Sequence, residues 1–263
     1  MTAGIFILFE AEEIVAVVLV IQQLVLIIVM SRFGEAALRK MIGGKPIFRN
    51  EHIVNLQIPF EKTLAACRES GLDLPENITP YVIRSETPFA YAVGKHAMIL
   101  SEGMGDVNED VFDAIIEHQL YQISKRDPDT CLLLIGCNLV ISCIALSIMA
   151  IAGFFALFGS YSVDIFGDIH SEKENGALVL IITGGMLMVL MFAKIEVYKH
   201  AVKKHIFEAD EFVVRCGHGE AQILYIDYIK LSGSDKWNPV ESIRLYIRPD
   251  ADSRIAQIER LMA

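Results

Sequence analysis

The sequence has little positive charge and little cysteine. Lys and Arg together number 23 against 33 Asp and Glu, which gives a net charge of −10. A protein whose main partner is nucleic acid needs a basic surface, so this balance argues against nucleic acid as a partner. The 5 cysteines include no C-x-x-C pair. We therefore expect neither a disulfide framework nor a thiolate zinc site, and interpret the cysteines as reduced, buried thiols.

The N-terminus also lacks the basic leader of a secretory signal peptide. The acidic residues Glu10, Glu12 and Glu13 precede its apolar run instead, and we expect no cleaved signal. What the sequence does contain is long uncharged stretches. They are Ile14–Met30, Leu132–Phe158 and Ala177–Ala193.

Each of these runs has at least 17 residues. Such a length allows a helix to cross a hydrocarbon core of about 30 Å. We therefore predict three membrane-spanning helices. A surface or re-entrant helix stays open for the first run, because Glu10–Glu13 and Gln22–Gln23 make it less apolar.

Basic residues cluster on one side of the predicted spans. The loop Gly159–Gly176 on the other side has only Lys173 against four acidic residues. Cytoplasmic loops carry the excess of Lys and Arg. We therefore predict an outside N-terminus and a cytoplasmic main domain, in a multi-pass protein of a bacterial-type inner (plasma) membrane. The basic residues on the cytoplasmic side are Arg32, Arg39, Lys40, Lys45, Arg49, Lys125, Arg126, Lys194, Lys199, Lys203 and Lys204.

The spans divide the chain into four predicted segments. Residues 1–31 form an N-terminal transmembrane helix, 32–130 the first half of a cytoplasmic domain, 131–193 a transmembrane hairpin and 194–263 the second half. Neither half looks sufficient for a hydrophobic core of its own. Because a hairpin returns the chain to the same side of the membrane, we expect the halves to form one domain.

Local patterns predict an α+β fold that is mostly helical. Apolar residues recur at helical spacing over Phe60–Ser70 and about Glu109–Lys125, the latter capped by Asp106 or Asn108. Short strands are predicted at Ile78–Ile83 and Ala97–Ser101. Further helices are predicted from the third span to about Arg215, before Gly217 and Gly219, and near Ser253–Met262.

Several segments occur in an order that is typical of one protein family. Phe89–Gly94 precedes the strand Met98–Ser101 and the helix segment Ile116–Asp127, which reads I-E-H-Q-L-Y-Q-I-S-K-R-D. After the hairpin come Phe207-Glu208-Ala209-Asp210, then Arg248-Pro249 and Arg254-Ile255. This arrangement resembles the HtpX-like integral-membrane zinc metallopeptidases, relatives of the CAAX prenyl proteases. The resemblance implies a membrane-anchored, gluzincin-like peptidase domain split by a transmembrane hairpin.

The resemblance also identifies the positions where catalytic residues should stand. In H-E-x-x-H, two histidines on one helix face bind zinc and the glutamate takes a proton from metal-bound water. His118 matches the first ligand, but Gln119 and Gln122 replace the general base and the second ligand, giving H-Q-x-x-Q. The third ligand position holds Ile206, and Asp210 matches the residue that supports the first histidine. An amide is a poor base and a poor zinc ligand, and isoleucine has no lone pair.

Neighbouring residues are poorly placed to substitute for the missing ligands. Each helical residue turns about 100°, so Glu208 lies on the far side of its helix from Ile206. His205 is about 100° from Ile206, and Glu117 is equally far from His118. We therefore expect no metal and no catalytic residue, with His118, Gln119, Gln122, Ile206 and Asp210 as vestigial positions.

The resulting hypothesis is a catalytically inactive pseudopeptidase that serves as a membrane-bound binding or structural subunit of a membrane protein complex. Its partners would be the lipid bilayer and a membrane protein or peptide segment. The alternatives are an active membrane zinc endopeptidase of protein quality control with atypical ligands, and an anchor with an unused cleft. By family analogy a peptide would add to an edge strand. We predict the binding cleft at Thr87, Pro88, Phe89, Ala90, Met98, Ile99, Leu100 and Ser101.

Overall fold

The structure is a computed structural model of the chain. It describes residues 23–130, 132–133, 161–163, 169–171, 202–232 and 249–263, and single residues between 185 and 200. Most of each predicted span, 14–30, 132–158 and 177–193, lies outside the described residues. In the part of the chain that is described, no helix has both the length and the apolar character needed to cross a membrane.

The chain divides into two compact units. One unit contains Met1–Ile27 and Leu134–Val197, and in it the short strands Tyr161–Val163 and Ile169–Ser171 pair antiparallel. The other unit contains Ile28–Leu133 and Tyr198–Ala263. All of the candidate site residues belong to this second unit, whose two chain segments share a core.

A four-stranded sheet lies in the second unit. Its strands are β1 (Lys45–Pro46), β2 (Thr79–Ile83), β3 (Ala90–Val93) and β4 (Ala97–Ser101), in the order β1-β2-β4-β3. β2 and β4 are parallel, whereas β1 with β2 and β3 with β4 are antiparallel. The predicted strands at 78–83 and 97–101 are confirmed, and β3 is an addition that the sequence pattern did not predict.

This strand order corrects the predicted binding edge. β4 has a partner on each side and every one of its residues is buried. Met98–Ser101 therefore cannot accept an added peptide strand, because its backbone groups are already paired within the sheet. The edge strands are the two-residue β1 and β3, and β3 is formed by a segment rich in aromatic and small residues.

Helices pack against this sheet. Helix α1 (Arg32–Ile42) precedes it, and a helical segment runs from Asn50–His52 through π-helical Ile53–Gln57 into α2 (Ile58–Glu69). The wider π turn comes just before Pro59, which has no backbone N–H to donate. Helix α3 (Glu109–Ser124) begins at Asn108, whose side chain accepts from the Val111 N–H at 3.0 Å. The predicted helices at 60–70 and 109–125 and the Asn108 cap are thus confirmed.

In the described residues of the unit's second half, three helices follow. They are α4 (residues 202–215), α5 (Gly219–Ser232) and α6 (Ala251–Met262). Gly217 has φ +93 and separates α4 from α5, as expected of a residue without a side chain. The core joins α2, α3, β4 and α4 through large buried side chains. Among them are Phe60, Met98, Leu100, Ile115, Ile116, Leu120 and Phe212.

Candidate functional site

Helix α3 places His118 in the interior of the second unit. The side chain is only 5% exposed, and both ring nitrogens have polar protein neighbours. Nε2 lies 3.3 Å from Asp210 Oδ1 and 3.2 Å from Arg254 Nη2. Nδ1 lies 3.4 Å from Gln119 Nε2. His118 is therefore part of a buried polar network, whichever nitrogen carries the proton.

Asp210 of α4 is the centre of this network. Arg254 donates to it twice, from Nε to Oδ2 at 2.8 Å and from Nη2 to Oδ1 at 2.6 Å. Gln222 of α5 adds a hydrogen bond from Nε2 to Oδ1 at 2.9 Å. Such a two-bond guanidinium–carboxylate pair is strong and directional. Since His118, Asp210, Gln222 and Arg254 come from α3, α4, α5 and α6, the network connects four helices.

Burial and charge act in opposite directions on the central ion pair. Burial alone would raise the pKa of the Asp210 carboxyl, but the charge and hydrogen bonds of Arg254, with those of His118, hold that pKa below its usual range. For Arg254, burial would lower the pKa, and the charge and hydrogen bonds of Asp210 outweigh it, so the pKa is raised. Both groups are thus charged in the folded protein at neutral pH.

Gln119 connects the edge strand to His118. Its Oε1 accepts from the Ala92 N–H of β3 at 3.4 Å, and its Nε2 lies 3.4 Å from His118 Nδ1. Both contacts are long and therefore weak. Nevertheless, they place the Gln119 side chain between an N–H of β3 and the imidazole of His118.

The pairing of α3 with α4 brings the other candidate positions together. His118 contacts Asp210, and Tyr121 donates from its hydroxyl to Glu208 at 3.2 Å. Residue numbers thus rise along α3 as they fall along α4, so the helices are antiparallel here. Gln122 lies four residues after His118 on α3, and Ile206 lies four residues before Asp210 on α4. This register puts Gln122 and Ile206 opposite each other. Ile206 is 2% exposed, whereas Gln122 is partly buried.

The possible substitute ligands have other partners. His205 Nδ1 lies 2.5 Å from Asp127 Oδ1, and His218 Nδ1 lies 3.0 Å from Glu117 Oε2. Glu208 accepts from Tyr121 and lies 3.8 Å from Lys125 Nζ. Burial raises the pKa of Glu117 and of Asp127, although His218 and His205 oppose this effect.

These residues do not fit a catalytic zinc ion. Across the described ranges, no three His, Cys, Asp or Glu side chains come together in an arrangement that could hold a metal. Gln119 and Gln122 offer neutral amides, and Ile206 offers no donor. The remaining imidazole, His118, has Asp210 and Arg254 at one nitrogen and Gln119 at the other. The donor set that zinc requires is three protein ligands and one open position.

The predicted cleft residues are only partly at the edge of the sheet. Phe89 adjoins β3, where its ring stacks on Tyr91 with centroids 4.5 Å apart, and its N–H donates to Ser101 Oγ at 2.9 Å. Thr87 is exposed, and Pro88 and Ala90 are buried. The β4 residues of the cleft lie in the sheet interior, as described above.

Sequence reasoning missed two members of the polar network. Arg254 was noticed only as part of a terminal motif, and Gln222 was not noticed at all. Arg254 is 136 residues from His118 in the chain, so no local spacing could connect them. A charged residue at an inward position of the amphipathic α6 was the one available signal for Arg254.

No protein family and no curated protein matches this sequence. A solved structure does resemble the fold: the crystal structure of S. mikatae Ste24p, with a TM-score of 0.53 and 16% sequence identity. The likeness covers 91% of this chain and 57% of that chain, so this chain spans little more than half its length. The mostly helical fold with a small sheet therefore resembles that of Ste24p.

Proposed function

We propose that this chain is a catalytically inactive relative of the membrane zinc metallopeptidases, and that it serves as a binding or structural subunit of a membrane protein complex. The observation that carries this proposal is the Arg254 guanidinium 3.2 Å from His118 Nε2, in a network completed by Asp210 and Gln222. His118 Nε2 has both Arg254 and Asp210 within 3.3 Å, and a zinc ion at that nitrogen would have to displace these partners. Gln119 in place of the general base supports the same conclusion.

The retained histidine has a structural use in this proposal. His118 and Asp210 contribute to a network that ties together α3, α4, α5 and α6. Buried polar groups that are hydrogen-bonded to one another fix how helices pack, whereas unpaired ones destabilise. In this proposal His118 and Asp210 are retained because they stabilise the packing of the four helices.

A separate surface of the same unit supports a role in a complex. Leu224, Tyr228 and Leu231 are 61%, 44% and 86% exposed, and their spacing of four and three residues puts them on one face of α5. A contiguous exposed apolar stripe is typical of a protein interaction site. The β3 edge is less suited to peptide capture, because Gln119 already binds the Ala92 N–H.

The metal content of the purified full-length chain tests the proposed inactivity. We expect far less than one zinc per chain, and no change on His118→Ala, because His118 has protein partners at both nitrogens. Mass spectrometry of the metal in wild type and variant checks this. Close to one equivalent, lost on His118→Ala, would instead favour the active zinc endopeptidase with atypical ligands.

Partner recovery tests the proposed role in a complex. We expect Leu224→Gln with Leu231→Gln to reduce recovery of a stoichiometric partner from gently solubilised native membranes at least fivefold, because the variant removes the apolar contact. Val54→Gln with Ile58→Gln is a matched control, since these residues are 60% and 56% exposed on another surface. Equal recovery with both variants would contradict a partner at α5.

A further inference from the structure

A cavity of about 170 Å³ lies between α1 and the sheet, away from the polar network. A water molecule takes up about 30 Å³ in the liquid, so the cavity could hold a phosphate group with some water. Its polar lining includes Arg32 and Arg39 from α1, and Thr79, Tyr81 and His96 from the sheet side.

The two arginines give this cavity a positive charge. They are seven residues apart, which is two helical turns, so both lie on the same face of α1. Arg39 places its guanidinium over the Tyr81 ring, 4.0 Å from the centroid. Within the described residues, neither Arg32 nor Arg39 forms an ion pair. Guanidinium groups bind phosphate oxygens well because their N–H groups match the geometry.

The acidic residue in the cavity wall, Glu35, already has hydrogen-bond partners within the protein. Glu35 is 7% exposed; its Oε1 accepts from the Lys95 N–H at 2.9 Å and lies 3.2 Å from His96 Nδ1. Gly94, with φ +62, permits this approach, because a Cβ there would lie 2.2 Å from Glu35 Oε1. The carboxylate is therefore turned toward the β3–β4 turn, and among the described residues it forms no ion pair with either arginine.

Exposed apolar side chains surround the same helix. Phe33 and Met41 of α1 are 81% and 84% exposed, and Ile28 and Phe48 on either side of α1 are 58% and 81% exposed. A helix with basic residues on one face and large apolar residues on another is typical of a membrane interface. This helix also directly follows the first predicted span. Its basic residues stand out in a chain whose net charge is −10.

We propose that the cavity lined by Arg32 and Arg39 binds the phosphate group of an anionic phospholipid, with α1 lying in the membrane interface. The apolar side chains enter the acyl region, and the arginines face the layer of head groups. Each arginine near an anionic surface contributes about 1 kcal/mol, or roughly fivefold in affinity. The site is independent of whether the chain binds zinc.

Native mass spectrometry of the full-length chain in detergent tests the site. The probes are dioctanoyl phosphatidylglycerol, dioctanoyl phosphatidylcholine and inorganic phosphate. We expect phosphatidylglycerol to bind at least tenfold tighter than phosphatidylcholine, and Arg32→Gln with Arg39→Gln to weaken it about tenfold or more. The single variant Arg32→Gln, at an exposed position, should weaken it about fivefold and provides a second test should the double variant fail to fold.

The control variant Lys40→Gln with Arg49→Gln removes the same charge from exposed neighbours that do not line the cavity. We expect it to change the affinity for phosphatidylglycerol less than threefold. Equal weakening by both double variants would show diffuse charge attraction and overturn the site. Inorganic phosphate that binds as tightly as phosphatidylglycerol would overturn the lipid as its ligand, and so would equal binding of the two lipids.

Discussion

Replacing Arg254 with alanine is expected to lower the free energy of unfolding by about 3–5 kcal/mol, because the change leaves an unpaired charge in the protein interior. Arg254 is 6% exposed and Asp210 is 0% exposed. Without the guanidinium, the Asp210 carboxylate keeps His118 and Gln222 as its partners among the described residues. Since whole domains are stable by about 5–15 kcal/mol, a loss of this size is a large fraction of the total.

The effect of Arg254→Ala should depend on pH in a defined direction. In wild type the pKa of Asp210 is held below its usual range. The stability that this contributes is therefore present above the unfolded-state pKa of about 3.9 and is lost as the pH falls through the folded-state value. In the variant, the effect of burial on Asp210 is opposed by the weaker contacts with His118 and Gln222, so the folded-state pKa of Asp210 rises. The difference in the free energy of unfolding between variant and wild type should thus be largest near pH 7 and shrink toward pH 4.

Thermal unfolding in detergent, followed by circular dichroism between pH 4 and 8, measures this difference. Lys230→Ala is the control, because it breaks an exposed ion pair with Asp252 and should leave the unfolding temperature nearly unchanged. The double variant Asp210→Leu with Arg254→Met removes both charges together and should recover much of the lost stability. If Arg254→Ala proves as stable as Lys230→Ala, the network does not hold the helices together.

The second large effect is expected when the missing ligands are restored. The triple change Gln119→Glu, Gln122→His and Ile206→Glu should raise zinc affinity on the order of a thousandfold or more. Structural zinc sites bind with about 10–16 kcal/mol over four ligands, and the triple change adds two ligands beside His118. The antiparallel register of α3 and α4 puts positions 122 and 206 opposite each other, and the two new carboxylates offset the charge of a bound zinc ion.

Bound zinc per purified chain gives the result, with about one equivalent expected for the triple variant. Adding His118→Ala to it should abolish the gain, because only two ligands then remain. The variant Gln119→Glu with Gln122→His avoids a buried carboxylate at position 206 and should gain a smaller but measurable affinity. A folded triple variant without bound metal would mean that these three side chains do not converge, and the family alignment would be wrong.

The sequence predicted those elements whose residue pattern extends over several turns of a helix or several residues of a strand. Helical spacing of apolar residues predicted α2 and α3, and the Asn108 cap marked where α3 begins. The helix α5 was missed because Gly217 and Gly219 suggested a break, although Gly219 is its first residue. β3 was missed because turn residues and aromatics together give no alternating pattern over four residues.

By itself, the sequence determined the mostly helical class and the helices α2, α3, α4 and α6 of the second unit. These features follow from residue type and from contacts within a few positions. Only the tertiary structure decided that β4 lies inside the sheet and that Arg254 and Gln222 join Asp210 beside His118. Strand order and a network of four helices depend on contacts across many residues, such as the 136 between His118 and Arg254. Local periodicity contains no information about contacts at that separation.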